Sequence, residues 1–309
     1  MTLYIDPPVW PAHATVFSHL ISDTSIAELH SFAQAAGVSQ RAFDRDHYDV
    51  PEHRYDELIR RGAQPVSGHQ LVTILMRSGL RVKARDRQEK LRAGLQRRWT
   101  RMAPSDDAAL LTGWQPVGAD LISRWDHPGR HYHALPHLSS VLRIAHRLHR
   151  NGELHHDLLQ PVLLAGWFHD AVYNGIAGQD EEDSAYLAQR QLDGLLPSHQ
   201  VEETARLVRL TATHAPETDD ISGAVLVDAD LEVLSRDGAA YWRYVDQVRA
   251  DYAHVPENQF ATGRTQVLKN LLATPRLFHT RTGYQLWEAV ARANLTAELA
   301  HWQLGRPIL

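Results

Sequence analysis

The segment LLQPVLLAGWFHD, residues 158–170, limits the chain more than any other. It is apolar at nearly every position, so a helix built from it has no face suited to water and must be enclosed on most sides. It then ends on His169 and Asp170. An aspartate closing so apolar a helix needs a cation or hydrogen-bond donors, because a bare buried carboxylate is costly. Adjacent helical residues diverge by about 100°, so His169 and Asp170 share a target best at a helix end. The Asn174–Gly175 pair just beyond supports such an end.

The flanking sequence predicts the enclosing helices. Leu138, Val141, Leu142, Ala145 and Leu148 mark one face of a helix. Helical patterns recur near 183–194, 200–213, 223–235, 239–251, 264–273 and 284–303 with little strand signal, so residues 101–309 read as an all-α domain. Residues 1–86 read as a small α/β domain, giving a two-domain chain. TLYID is a strand candidate, and SDTSIAELHSFAQAAG is a helix with capping residues Asp23 and Ser25 and a stop at Gly37. SGHQLVTILMRSG is a second helix, with Ser67 and Gln70 as a capping box and Gly79 as its stop, and LRVKA is expected as a closing strand. Residues 87–100 read as a basic linker helix. The 81–101 stretch carries nine Lys/Arg against two acids, which fits a solvated linker better than a polyanion strip, since interleaved aromatics are missing.

Composition narrows the chemistry. The 309 residues contain no cysteine and twenty histidines, so any metal must be held by His, Asp and Glu. A net charge of −5 gives no global argument for nucleic acid. No apolar run is long enough to span a bilayer, and MTLYIDPPVW lacks signal-peptide features. A cytoplasmic protein with no membrane partner is the expectation, and a homo-oligomer is compatible with it.

Two further segments carry candidate site residues. In GRHYHALPHLSSV, residues 129–141, Pro136 suits the first turn of a helix. His131 and His133 then lie on the preceding loop, and His137 shares an inward face with Val141 and Leu148, as either a satisfied core histidine or a ligand. In GAVLVDADLEVLS, helical geometry puts Leu226, Val227, Val233 and Leu234 within about 60° of Asp230. Asp228 and Glu232 fall on the opposite side, and Asp228 is expected to be solvated. An inward Asp230 needs compensation, which a metal would supply.

YHALPH is similar to the YHN-x-x-H of cyclic-nucleotide phosphodiesterases, whose DL after the last ligand corresponds to Asp230–Leu231. More closely, RHYHALPHL, WFHDAVYN, EEDSA, DADLEVL and GRTQVLKNLL resemble a bacterial family of HD (His-Asp) metal-dependent phosphohydrolases, over about residues 98–305. The resemblance implies an all-α HD-type domain with His137, His169, Asp170 and Asp230 as ligands of a divalent cation: manganese, magnesium, cobalt, nickel, iron or zinc. It gives His133 the place of the proton-donating histidine, beside Asp170 in the catalytic set. Ala134 stands where the related pattern has Asn, so the group that orients His133 is left unassigned. The implied reaction is hydrolysis of a phosphoester of a nucleotide or another small molecule by metal-activated water.

Arg130, Glu181, His214, Arg249 and Arg264 are candidate substrate contacts, with Arg264 ranked first for its place after Gly263. Glu181 and Ser184 match an acidic NE-x-x-SA pattern, or simply start a helix. His214 is a further ligand, a phosphate contact or a helix C-terminal cap. Two other classes compete: an iron-dependent HD oxygenase, which needs extra histidines for a second iron (His199 and His214 are available), and a nucleotide-sensing module without catalysis. Residues 1–86 resemble an uncharacterised bacterial domain that brings no activity. There Asp6, His13, His19, Asp23 and His47 are candidates for a second polar site, or serve as structural hydrogen bonds and caps.

Overall fold

A computed structural model describes residues 2–12, 15–81, 84–176 and 178–303. The described residues divide into two compact units, with the division at Glu89 and Lys90.

The first unit is built on a six-stranded sheet of β1 (Leu3–Ile5), β2 (Trp10–Ala12), β3 (Thr15–Ser22), β4 (Phe43–Asp44), β5 (His47–Pro51) and β6 (Gln64–Pro65). The order is β4-β5-β3-β1-β6, with β2 pairing β3. All described pairings are antiparallel except β1 with β6. Alternation explains its layers. Leu20 of β3 and Tyr48 and Val50 of β5 face one side, where Leu29 and Ala33 of α1 (Ile26–Ala35) and Leu58 of α2 (Tyr55–Arg60) cover them. Ile21 faces the other side and packs on Leu71 and Leu75 of α3 (Gly68–Arg77). Ser25 caps α1, while Asp23 instead accepts from Thr2 N and Tyr4 Oη. The Ser67–Gln70 capping box opens α3. Gly37 and Gly79 follow their helices at positive φ (71° and 73°), where a side chain would be strained.

The expected closing strand LRVKA is corrected. Leu80 and Arg81 are not in a strand, Val82 and Lys83 lie outside the described residues, and Ala84 already opens α4 (Ala84–Arg101). The solvated linker is corrected as well. Leu95 and Trp99 of α4 are buried in the helical core, which the charge count of the segment hid. Trp99 stacks on Trp114 of α5 (Ala108–Trp125) at 4.5 Å, and each indole N–H donates to the other residue's carbonyl, at 2.8 and 3.0 Å. A Cβ on Gly118 would stand 2.2 Å from Trp99 Cδ1, so this approach requires glycine.

The second unit continues with α6 (Leu135–Arg150), α7 (His156–Phe168), α8 (Gln179–Leu192), α9 (Ser198–Leu210), α10 (Ile221–Leu231), α11 (Gly238–Asp251), α12 (Glu257–Ala273) and α13 (Arg281–Gln303), with a 3-10 turn over Glu232–Ser235. Residues 161–168 of α7 are all buried, and α6, α9 and α10 are its main neighbours. The apolar run therefore occupies the centre of an all-helical unit. No helix among the described residues is long and apolar enough to cross a membrane.

Candidate metal centre

Three helices deliver the central side chains. Ala134 has extended backbone and caps α6, which puts His137 in the first turn, on the buried face with Val141 and Leu148. His169 is the C-cap of α7, and Asp170 follows where the chain leaves the helix. Asp230 comes from the last turn of α10.

Their donor atoms converge. His137 Nε2 lies 3.2 Å from His169 Nε2 and 3.0 Å from Asp230 Oδ1. His169 Nε2 is 3.1 Å from Asp170 Oδ2 and 3.7 Å from Asp230 Oδ1, and His137 Nε2 is 3.9 Å from Asp170 Oδ2. Ligands about 2.1 Å from one ion stand roughly 3.0 Å apart at octahedral angles and roughly 3.4 Å apart at tetrahedral ones. The observed separations fall around these values. His169 Nδ1 is 3.0 Å from Gly166 O and serves as donor there, so the neutral ring carries its lone pair at Nε2, toward the cluster. One ligand atom each from His137, His169 and Asp230 lies within 4.8 Å of the others, so these residues fit a cation held by two imidazoles and one carboxylate, with Asp170 Oδ2 beside the rings.

The electrostatics agree with that fit. Burial opposes charge on His169, yet the adjacent Asp170 carboxylate, with help from Asp230, lifts its imidazole to about 9. Burial holds His137 below its usual value despite Asp230. Both carboxylates stay ionised against desolvation, Asp170 through His169 and Asp230 through His137 and His214. Two carboxylates beside two rings favour positive charge here, and a cation would take the His169 Nε2 lone pair in place of a proton, in a site walled by Trp125, whose ring lies 5.2 Å from His169.

Asp228 corrects an expectation. It is fully buried, accepting from His279 N (2.7 Å), Thr280 N (2.9 Å) and Thr280 Oγ1 (2.6 Å) just before α13, and burial pushes its carboxyl up to about 7. The angular argument makes Asp230 the more enclosed of the two, whereas Asp228 is the more buried and the Asp230 side chain is 14% exposed. That expectation fails on solvation because α10 is packed on both sides.

A cavity of ≈ 540 Å³ opens over the cluster, lined by His133, Asp170, Tyr173, His214, Asp230 and Tyr252 among others. His133 stacks on Tyr173 at 4.2 Å, and its Nδ1 lies 2.8 Å from Asp251 Oδ2. Asp251 also accepts the backbone N–H groups of His131, Tyr132 and His133. This buried carboxylate, 118 residues away in sequence, takes the orienting place that Ala134 leaves empty. Desolvation would raise its pKa, but the hydrogen bonds from His133 and the loop amides hold it below the usual carboxylate range.

The expected substrate contacts are mostly engaged elsewhere. Arg264 lines the cavity but gives its guanidinium to Glu298 (2.7 and 3.0 Å) and Tyr244 Oη (3.0 Å). Glu298 also accepts from Tyr241 and Trp302. Arg249 donates to the carbonyls of Tyr252 and Val255, and Arg130 to those of Asp170 and Ala171. Arg130 and Arg249 thus tie backbone carbonyls near the site, and Arg264 joins α12 to α13 through Glu298. Glu181 accepts from Gly178 N in a capping box. Its neighbour Asp180 holds the loop after Asp170 by accepting from the amides of Asn174, Gly175 and Ile176. Ser184 likewise binds Val172 N and O. His214 has left-handed backbone (φ 51°), and its Nε2 lies 2.8 Å from Asp230 Oδ2. His199 is exposed on the first turn of α9, so a helix separates it from His214.

A family model described as "Protein of unknown function (DUF4031)" matches residues 3–78. The chain thus carries an N-terminal DUF4031 domain, which spans the sheet and α1 to α3 and brings no stated activity. No curated protein and no solved structure matches the chain.

Proposed function

We propose that the helical unit is an HD-type metal-dependent phosphohydrolase, acting on the phosphoester of a nucleotide or a similarly small molecule. One observation carries this reading: the imidazoles of His137 on α6 and His169 on α7 lie 3.0–3.9 Å from the carboxylates of Asp170 and Asp230, beside a cavity. His137, His169, Asp170 and Asp230 would hold the cation. A divalent ion in such a site lowers the pKa of bound water toward neutrality and polarises a phosphoryl oxygen. Asp251 fixes His133 through Nδ1, so Nε2 is the atom that delivers a proton to the leaving oxygen. Trp125 and the buried helix ends keep bulk water from the donors, which strengthens every charge interaction among them. The cavity volume suits a ligand of nucleotide size. With Arg264 committed to Glu298, a substrate with one phosphoryl group fits better than a polyphosphate.

The test is metal content and turnover of the wild type and Asp170→Ala, over a panel of nucleotides and phosphoesters with manganese, magnesium, cobalt, nickel, iron or zinc. Asp170→Ala is expected to lose one ion per chain together with turnover. Full retention of both overturns the proposal. Two irons in the helical unit with substrate-dependent oxygen uptake would transfer the site to an oxygenase, and tight nucleotide binding without turnover to a sensor.

A further inference from the structure

Strand register in the first unit builds a second cluster of metal-type donors. His19 on β3 sits directly opposite Asp49 on β5. His47 is two residues before Asp49 on the same strand, so all three side chains leave the same face of the sheet. His19 Nδ1 is 3.0 Å from Asp6 Oδ2, and His47 Nδ1 is 2.7 Å from Asp46 Oδ1. Both of these carboxylates are 1% exposed. Asp6 is itself fixed by the His19 backbone N–H (2.5 Å) and Trp10 Nε1 (3.0 Å), and Arg81 lies 3.5 Å from Asp46.

A neutral imidazole that donates from Nδ1 to a carboxylate must carry its lone pair at Nε2, and such a partner also raises the basicity of that nitrogen. Both Nε2 atoms point to one oxygen: Asp49 Oδ1 lies 3.4 Å from that of His47 and 3.8 Å from that of His19. One ligand atom from each of the three residues falls within 4.8 Å of the others. A purely structural network does not need two separately anchored rings converging on a single carboxylate. Nor does it repay readily the desolvation of two carboxylates behind them.

We propose that His19 Nε2, His47 Nε2 and the Asp49 carboxylate form a divalent transition-metal site, with Asp6 and Asp46 as positioning residues. Two nitrogens and one oxygen favour zinc, cobalt, nickel or ferrous iron over magnesium or calcium. Three protein ligands leave coordination positions for water or a small anion, the pattern of a ligand-exchanging site rather than a closed structural one. The open side is toward solvent: side-chain exposure rises from 15% at His47 to 25% at His19 and 36% at Asp49. His13, another candidate in this unit, lies outside the described residues.

The site is tested by titrating the full-length chain with cobalt(II), counting equivalents by d–d absorption, for the wild type, His19→Ala, Asp49→Asn and Asp170→Ala. The wild type is expected to bind two equivalents, and His19→Ala and Asp49→Asn one each. Asp49→Asn keeps shape at a partly exposed position, so circular dichroism can verify its fold even if His19→Ala fails to fold. A folded Asp49→Asn chain that binds as many equivalents as the wild type overturns the proposal. The helical centre is read separately. One ion lost on Asp49→Asn but kept on Asp170→Ala supports this site and counts against the helical one, and the reverse pattern rejects this site alone.

Discussion

Asp251→Asn should separate proton delivery from cation holding. The Asp251 carboxylate takes four hydrogen bonds from residues 131–133, and it bonds none of the four side chains proposed to hold the ion. The amide keeps the volume but replaces one acceptor oxygen with an NH2 group, facing donors that need an acceptor. A hydrogen bond to a charged group contributes about 1.5–3 kcal/mol, and about 1.4 kcal/mol is one decade in rate. Misorientation of His133 alone therefore costs roughly one to two decades, and loss of proton transfer up to about 10⁴-fold. The assay uses two esters of the same phosphate, one with an alkyl and one with a p-nitrophenyl leaving group. An alkoxide needs the proton and p-nitrophenolate does not. The variant should lose about 10²-fold or more on the alkyl ester and less than about tenfold on the aryl ester, while keeping the ion of the helical unit. Equal losses on both esters, or loss of that ion, would refute the assignment of His133 and Asp251.

Two further outcomes concern the frame around the site. Glu298→Ala leaves buried Arg264 without its carboxylate, which should destabilise the helical unit by about 3–5 kcal/mol. At about 2–4 °C per kcal/mol for a unit of this size, its calorimetric melting transition should fall by roughly 6–20 °C, and an unshifted transition contradicts the role given to this pair. Glu298 also sets a pH dependence: although burial opposes its charge, Arg264 and the hydrogen bonds to Glu298 hold its folded pKa below the usual range. The stabilisation is then full above the unfolded value of about 4.3 and is lost as pH falls through the lower folded value. The stability gap between wild type and Glu298→Gln should shrink between neutral pH and that acid region, and a gap that stays constant on acidification rejects the argument.

Helix existence was legible from periodicity, because the α7 run and its amphipathic neighbours repeat over many turns. The short strands were harder. β5 alternates Tyr48 and Val50 with His47 and Asp49, too few residues to stand out from a polar loop. The four converging side chains could be nominated because each is a polar group where an apolar face predicts none. Asp251 was not nominated, although a signal existed: it is an acid in the last turn of a helix, where the helix dipole disfavours negative charge, so another partner had to be stabilising it. Asp180 offered no such signal among the acids of QDEED. The partners of the arginines were not legible, because a sequence shows neither the carbonyls that Arg130 and Arg249 reach nor the pairing of Arg264 with Glu298.

His214 adopts a left-handed backbone conformation that glycine reaches far more cheaply. The imidazole held there reaches Oδ2 of Asp230 and leaves Oδ1 facing His137. A carboxylate hydrogen-bonded at one oxygen offers an ion the other more readily, so His214 would bias the proposed ligation by Asp230 toward Oδ1 although it lies outside the proposed ligand set. His214→Gly should relax the chain and free that second oxygen, trading a little backbone strain for a looser grip on whatever ion is chosen.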